Sequence, residues 1–277
     1  GSGSVAPDGL PQGGTVTDGE ALRGLGRALF DARRLRTPIP PLSETNPELT
    51  AADAYAIQQT YAELILADEG GAVVGYKLGL TSKPMQQLLG VDQPDYGPVL
   101  SSMVFEDGAA LATDALIQPK AEAEIALVLE RPLRGPGVSR ADAAIAIRGA
   151  RGAIEVVDSR ILDWRIGLID TIADLASSAA IVLGPLTVAP DGWEPRLTGM
   201  VVAKNGQTQA TGAGAAAMGD PIATVAWLAN TLAPFDVTLE AGHFVMTGAL
   251  HAAFPVVPGD IVTAEFDRLG AVTVRFG

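Results

Sequence analysis

The stretch 120–130, KAEAEIALVLE, constrains this chain more than any other. It alternates and then runs apolar, the pattern of a strand entering a buried sheet. Residues two apart on a strand share a face, so Glu122 and Glu124 point the same way. Two neighbouring carboxylates on an apolar strand repel each other. The arrangement is costly unless a cation, a proton or strong donors lie between them. Taken alone, an E-x-E pair is ordinarily the solvated face of an edge strand. A second strand-like run at 153–160, AIEVVDSR, offers Glu155 as a third carboxylate in the same setting. Three such oxygen donors suit a hard divalent ion, Mg²⁺ or Mn²⁺.

Composition narrows the function classes. The chain carries a net charge of −13 and has no cysteine. The acidic balance argues against nucleic acid as a partner, because phosphate binding needs a basic surface. Without cysteine there is no disulfide, no thiolate zinc site and no cysteine nucleophile. No apolar run reaches bilayer length and no signal-peptide pattern opens the chain, so a membrane partner is not expected and the cytoplasm is the expected location.

Residues 1–18 are rich in Gly, Pro, Ser and Thr and read as a tail, its opening GSGS as an expression remnant. Helical spacing at Leu22, Leu25, Leu29 and Phe30 predicts a first helix over 19–36, which Pro38, Pro40 and Pro41 end. Thr50 and Asp53 predict the cap of a second helix that stops at Gly70-Gly71. A helical N-terminal region over 19–71 therefore precedes a β-rich body over 72–277, an α+β arrangement.

Within the body, 72–82 reads as a strand with Lys77 inside an apolar run, either snorkelling or held by a carboxylate or ligand. A short helix and a Pro- and Gly-rich loop follow over 83–100, where Asp92 and Asp95 read as turn residues. Ser139 predicts a helix cap. The stretch 159–184 has no clean period, and most of the charges in it and just before it (Asp158, Arg160, Asp163, Arg165, Asp170, Asp174) read as surface ion pairs. Asn205-Gly206 predicts a hairpin turn, and Asp220-Pro221 the start of a helix over 221–232. Gly212, Gly214 and Gly219 miss the dinucleotide-binding spacing. The C-terminal segment reads as three short strands with turns at 258–260 and 268–270.

The segments GYKLGLTSKPMQQLLGVDQPDYG, QPKAEAEIALVL, IEVVDSRILDWRIGLIDTIADLASS and TGAGAAAMGDPIATVAWLANTL occur in one order. From about Thr50 to the C-terminus the chain resembles the 2-hydroxypentadienoate hydratases and 4-oxalocrotonate decarboxylases of the fumarylacetoacetate hydrolase superfamily. The resemblance implies a mixed β-roll with a small helical N-terminal region, a homo-oligomer and a need for Mg²⁺ or Mn²⁺. It implies that Glu122, Glu124 and Glu155 are metal ligands and that Lys77 and Asp95 are catalytic. It places Ser178 and Leu78 against the substrate, a small 2-oxo or 2-hydroxy dienoate. Asp95 is thereby lifted from turn residue to site residue. The Asp95 segment resembles hydratases more than decarboxylases, so addition of water to a 2-hydroxy-2,4-dienoate is the expected reaction and decarboxylation of a 2-oxo-hexenedioate the alternative.

One departure stands out. The family usually has asparagine where this chain has Leu175, which removes an amide donor and acceptor and raises the alternative of a homologue with altered chemistry. His243 and His251 are the two histidines, and His251, with no counterpart in the resemblance, reads as structural.

Overall fold

The computed structural model describes residues 18–188 and 193–277. The expected tail lies outside these, apart from Asp18, whose carboxylate accepts from the Glu20 N–H and caps the first helix. The N-terminal helices are α1 (Gly19–Leu35), α2 (Leu42–Thr45) and α3 (Ala51–Glu69). α1 stops at Arg36, which is left-handed, and α3 opens on the Thr50–Asp53 capping box and closes at Gly70. Both ends follow the sequence signals.

The body is two curled sheets. Its strands are β1 (Val73–Gly79), β2 (Asp95–Leu100), β3 (Val104–Glu106), β4 (Ala110–Leu111), β5 (Lys120–Leu129), β6 (Ile147–Val157), β7 (Ser178–Leu183), β8 (Thr187–Val188), β9 (Gly199–Lys204), β10 (Gln207–Ala213), β11 (Phe244–Met246), β12 (Phe254–Pro255), β13 (Ile261–Phe266) and β14 (Gly270–Phe276). The helices of the body are α4 (Lys83–Leu89), α5 (Arg140–Ala146), α6 (Leu168–Ala173) and α7 (Pro221–Leu232). A nine-stranded sheet runs β2-β1-β11-β5-β6-β7-β3, with β12 on β5 and β8 on β6, and a five-stranded sheet runs β10-β9-β13-β14-β4. The pairs β1–β11, β3–β7 and β14–β4 are parallel and the rest antiparallel, so the fold is the expected mixed, curled α+β type.

The long pair β5–β6 forms the middle of the large sheet, in register from Lys120 opposite Val157 to Val128 opposite Gly149, with a shift before Leu129 opposite Ile147. Alternation sends Ile125, Leu127, Ile154 and Val156 into the main core, against Val202, Val262 and Val272 of the small sheet and Val225 and Leu228 of α7. The opposite face of β5 and β6 carries the glutamates. A second core joins α1 and α3 (Leu29, Phe30, Ile57, Tyr61, Ile65) to Leu100, Ile161, Ile172 and Leu175.

Three expectations are corrected. Asp95 opens strand β2 and does not lie in a loop, because 95–100 pairs antiparallel with β1. The C-terminal segment holds four strands, two of them short additions to the large sheet. The stretch 159–184 contains α6 and β7, and three of its charged residues, with Asp158 just before it, are buried. Asp158, Arg160, Asp170 and Asp174 are each 3% exposed or less. Asp163 and Arg165 are exposed, as read from the sequence.

Burial is tolerated because each charge is saturated locally. Asp158 accepts from the Ile117 and Gln118 N–H groups at 3.0 and 2.6 Å. Asp170 accepts from Ser43 N and Oγ and from Gly167 N. Arg160 donates through Nε to Asp174 Oδ1 at 2.5 Å, while the Arg160 backbone N–H donates to Asp174 Oδ2 at 2.9 Å. Burial opposes the guanidinium charge, but Asp174 outweighs it and holds Arg160 above its ordinary pKa.

Removing one partner of this pair leaves an uncompensated buried charge. Asp174→Ala is expected to destabilise the fold by about 3–5 kcal/mol, whereas the double variant Arg160→Met, Asp174→Leu recovers most of that loss. Urea unfolding followed by circular dichroism measures both.

Candidate active site

Glu122 and Glu124 leave β5 on one face, and the register puts Glu122 opposite Glu155 on β6. One carboxylate oxygen from each of the three lies within 4.8 Å of the others. Glu124 and Glu155 are buried and Glu122 is half-buried. Burial, then the charge of Glu155, pushes the Glu122 carboxyl up to about 7 and Glu124 well above the usual carboxylate range. Both causes disfavour three bare anions.

The neighbours relieve this only in part. Glu124 Oε2 accepts the Gly248 N–H at 2.9 Å. Among the described residues, Glu124 Oε1 and both oxygens of Glu155 find no hydrogen-bond partner. Lys77, on β1, brings its ammonium to 3.5 Å from Glu155 Oε2 and donates to the Ala176 carbonyl at 2.8 Å. Burial would lower the Lys77 pKa, but Glu155, Asp95, Glu124 and Glu122 together hold it above its ordinary value. Lys77 is therefore a fixed cation. Three convergent carboxylates, two of them with unpartnered buried oxygens, fit a hard divalent cation, whose chemistry demands such a donor set.

Asp95 sits opposite Gly79 across the β1–β2 pair. It is 1% exposed, and neither carboxylate oxygen has a hydrogen-bond partner among the described residues. Burial pushes its pKa up, with Lys77 pulling the other way. Gly79 makes room for it, since a Cβ there would lie 2.1 Å from Asp95 Oδ1.

The turn after α6 completes the surroundings of Lys77. Leu175, Ala176 and Ser177 are left-handed, with φ of 56°, 49° and 57°. None is glycine, so the turn stores strain. Arg160 clasps both of its ends, donating from Nη2 to the carbonyls of Asp174 at 2.9 Å and Ser178 at 3.2 Å. The turn thereby presents the Ala176 carbonyl to Lys77 and starts β7 at Ser178, whose buried hydroxyl is unpartnered among the described residues. Leu175 itself packs into the helical core.

The structure thus gathers Lys77, Glu122, Glu124 and Glu155, and sets Asp95 next to Gly79 on the adjoining strand pair. It does not bring the Leu78 side chain to them. Leu78 alternates to the other face of β1 and lies in the main core, so only its backbone remains for the site. A cavity of about 490 Å³ lies elsewhere, lined by Arg33, Arg36, Glu69 and Phe105 among others and by none of the three glutamates. Sequence reasoning missed two residues. Arg160 was masked by its charged neighbours, although the apolar residues downstream hinted at burial. His251 carried no signal, and its Nε2 accepts the Ala123 N–H at 2.8 Å, between Glu122 and Glu124. Burial lowers its pKa.

The fumarylacetoacetate hydrolase C-terminal family model matches residues 77–276. The chain belongs to the fumarylacetoacetate hydrolase family. It is 40% identical over 263 residues to a 2-hydroxyhexa-2,4-dienoate hydratase of Comamonas testosteroni, covering 94% of this chain and 99% of that one. It is 45% identical over 221 residues to a 2-hydroxypent-2,4-dienoate hydratase of Pseudomonas putida, covering 79% and 99%. Among solved structures it is similar to the 4-oxalocrotonate decarboxylase of Pseudomonas putida G7 complexed with magnesium and adipate, with a TM-score of 0.90, 36% identity and coverage of 96% and 100%. No helix of the described residues is long and apolar enough to cross a membrane.

The close approach at Gly79 gives a direct test of the Asp95 environment. Gly79→Ala is expected to displace the Asp95 carboxylate and lower turnover at least tenfold while the far-ultraviolet dichroism stays unchanged. Steady-state kinetics on the purified variant measures the effect.

Proposed function

We propose that the protein is a divalent-metal-dependent hydratase, adding water to a 2-hydroxy-2,4-dienoate to give a 4-hydroxy-2-oxo acid. The observation that carries the reading is the buried group of three glutamates beside a fixed lysine cation, in a chain whose curated relatives are dienoate hydratases.

Glu122, Glu124 and Glu155 would hold Mg²⁺ or Mn²⁺. When bound, the ion supplies Lewis-acid polarisation of the substrate's carboxylate and 2-oxygen. Lys77 adds a positive charge near those oxygens, held in place by Ala176 and Glu155. Ser178 offers an unpartnered hydroxyl to orient the substrate. The Leu78 backbone is a further polar contact on the same strand as Lys77. Asp95 moves the protons. Burial holds its carboxyl above the usual carboxylate range, and in its acid form it can protonate the terminal carbon of the dienol as the 2-hydroxyl gives up its proton, leaving an α,β-unsaturated 2-oxo acid. The resulting carboxylate then takes a proton from the water that adds at C4, and C3 takes up the proton that the 2-hydroxyl gave up. The net change is the addition of one water.

A second reading is a decarboxylase of a 2-oxo-hexenedioate, favoured by the likeness to the decarboxylase structure. The same site would then stabilise the enolate left when the remote carboxylate departs. Asp95 favours the hydratase, because decarboxylation adds no water and needs no carboxylate to take its proton. Homo-oligomeric assembly and a cytoplasmic location complete the proposal. The first follows from the family resemblance and the second is the expectation read from the sequence.

With 2-hydroxypenta-2,4-dienoate, loss of the dienol absorbance and a product heavier by one water are expected only when Mg²⁺ or Mn²⁺ is present. Asp95→Asn is expected to lower kcat by about 10²–10⁴-fold, the range for loss of a general acid–base group. Glu124→Ala is expected to abolish metal-dependent turnover. Full activity of Glu124→Ala after metal stripping contradicts the assignment.

A further inference from the structure

The imidazole of His251 completes the edge of the strand that carries two of the glutamates. On one side β5 pairs with β6 along its length. On the other side β11 pairs with residues 126–128 and β12 with 120–121. Residues 122–125 lie between these two short strands and face the loop over 247–253. A buried strand edge must find partners for its peptide groups.

The loop supplies them. Thr247 donates its N–H and its hydroxyl to the Ile125 carbonyl, and the Leu250 N–H donates to the Ala123 carbonyl at 3.0 Å. The Ala123 N–H goes to His251 Nε2 at 2.8 Å. The side chain thus stands where a ladder would place a carbonyl. Ala123 is fully buried beneath this contact.

Several contacts fix the ring and the loop. His251 Nδ1 is 2.7 Å from the Ala252 carbonyl, which makes it the protonated nitrogen and leaves the Nε2 lone pair free to accept. The ring stacks on Phe254 with centroids 5.6 Å apart. Gly248 has φ of 111°, and a Cβ there would lie 2.0 Å from Thr81 Oγ1, so the loop sits hard against Thr81 while its Gly248 N–H holds Glu124.

Resting on the reading that Glu122, Glu124 and Glu155 hold a divalent ion, we propose that His251 is a positioning residue for that ion. It pins the Ala123 peptide through Nε2 and so sets the spacing of the two glutamates that flank it. Groups that orient metal ligands from outside the coordination shell commonly affect metal affinity by about 10–100-fold.

The test is Mn²⁺ affinity of the full chain by titration calorimetry, with thermal unfolding run in parallel. His251→Phe keeps a ring stacked on Phe254 but removes the acceptor. His251→Gln restores an acceptor near the Nε2 position. The expected result is Mn²⁺ binding weakened about tenfold or more in His251→Phe and within about threefold of wild type in His251→Gln. Wild-type affinity in His251→Phe, or equal losses in the two variants, overturns the proposal while leaving the metal site intact. A wild-type protein that binds no Mn²⁺, or Glu124→Ala that binds it unchanged, overturns the metal reading and the proposal together.

Discussion

The repulsion among Glu122, Glu124 and Glu155 is the constraint around which the large sheet is organised. Carboxylates that meet within 4.8 Å on a buried sheet face are unstable as a bare set. The fold offsets part of the repulsion with one lysine ammonium and one backbone N–H from Gly248, and what is left is a site suited to a divalent ion. The opposite face of the same two strands is pure apolar core. Period-two alternation therefore divides β5 and β6 into a structural face and a chemical face, and a register slip of one residue would exchange them.

A second tension sits beside the first. Three consecutive left-handed residues at 175–177 carry the carbonyl that orients Lys77. Arg160 holds this turn from both ends while paired with Asp174, and its guanidinium lies over the Tyr61 ring at 5.9 Å. Tyr61 belongs to α3. The helical N-terminal region is thus tied through one buried arginine to the turn that shapes the site. This connection explains why an ion pair is kept in the interior although an apolar pair could fill the same space.

Much of this was legible in the sequence where local chemistry decides the outcome. The caps at Thr50, Ser139 and Asp220 form as their residue types predict. The same is true of the 205–206 hairpin turn and of the alternation that aligns Glu122 with Glu124. What escaped depended on distant partners. Asp95 looks like a turn residue until β1 is placed beside it. Arg160 and Asp174 look like surface charges because their saturation comes from each other and from backbone groups that a local pattern does not contain. His251 accepts from a peptide 128 residues away. Leu175 reads as a defect at the site, yet its side chain packs with α3 and α6 in the helical core.

The most direct test of the central claim is a crystal of the protein soaked in Mn²⁺, with diffraction collected at the manganese absorption edge. The account predicts one strong anomalous peak at about 2.0–2.3 Å from carboxylate oxygens of Glu122, Glu124 and Glu155, with Lys77 still bonded to Ala176. A peak confined to other acidic groups, with the three glutamates left unliganded at saturating Mn²⁺, would contradict it.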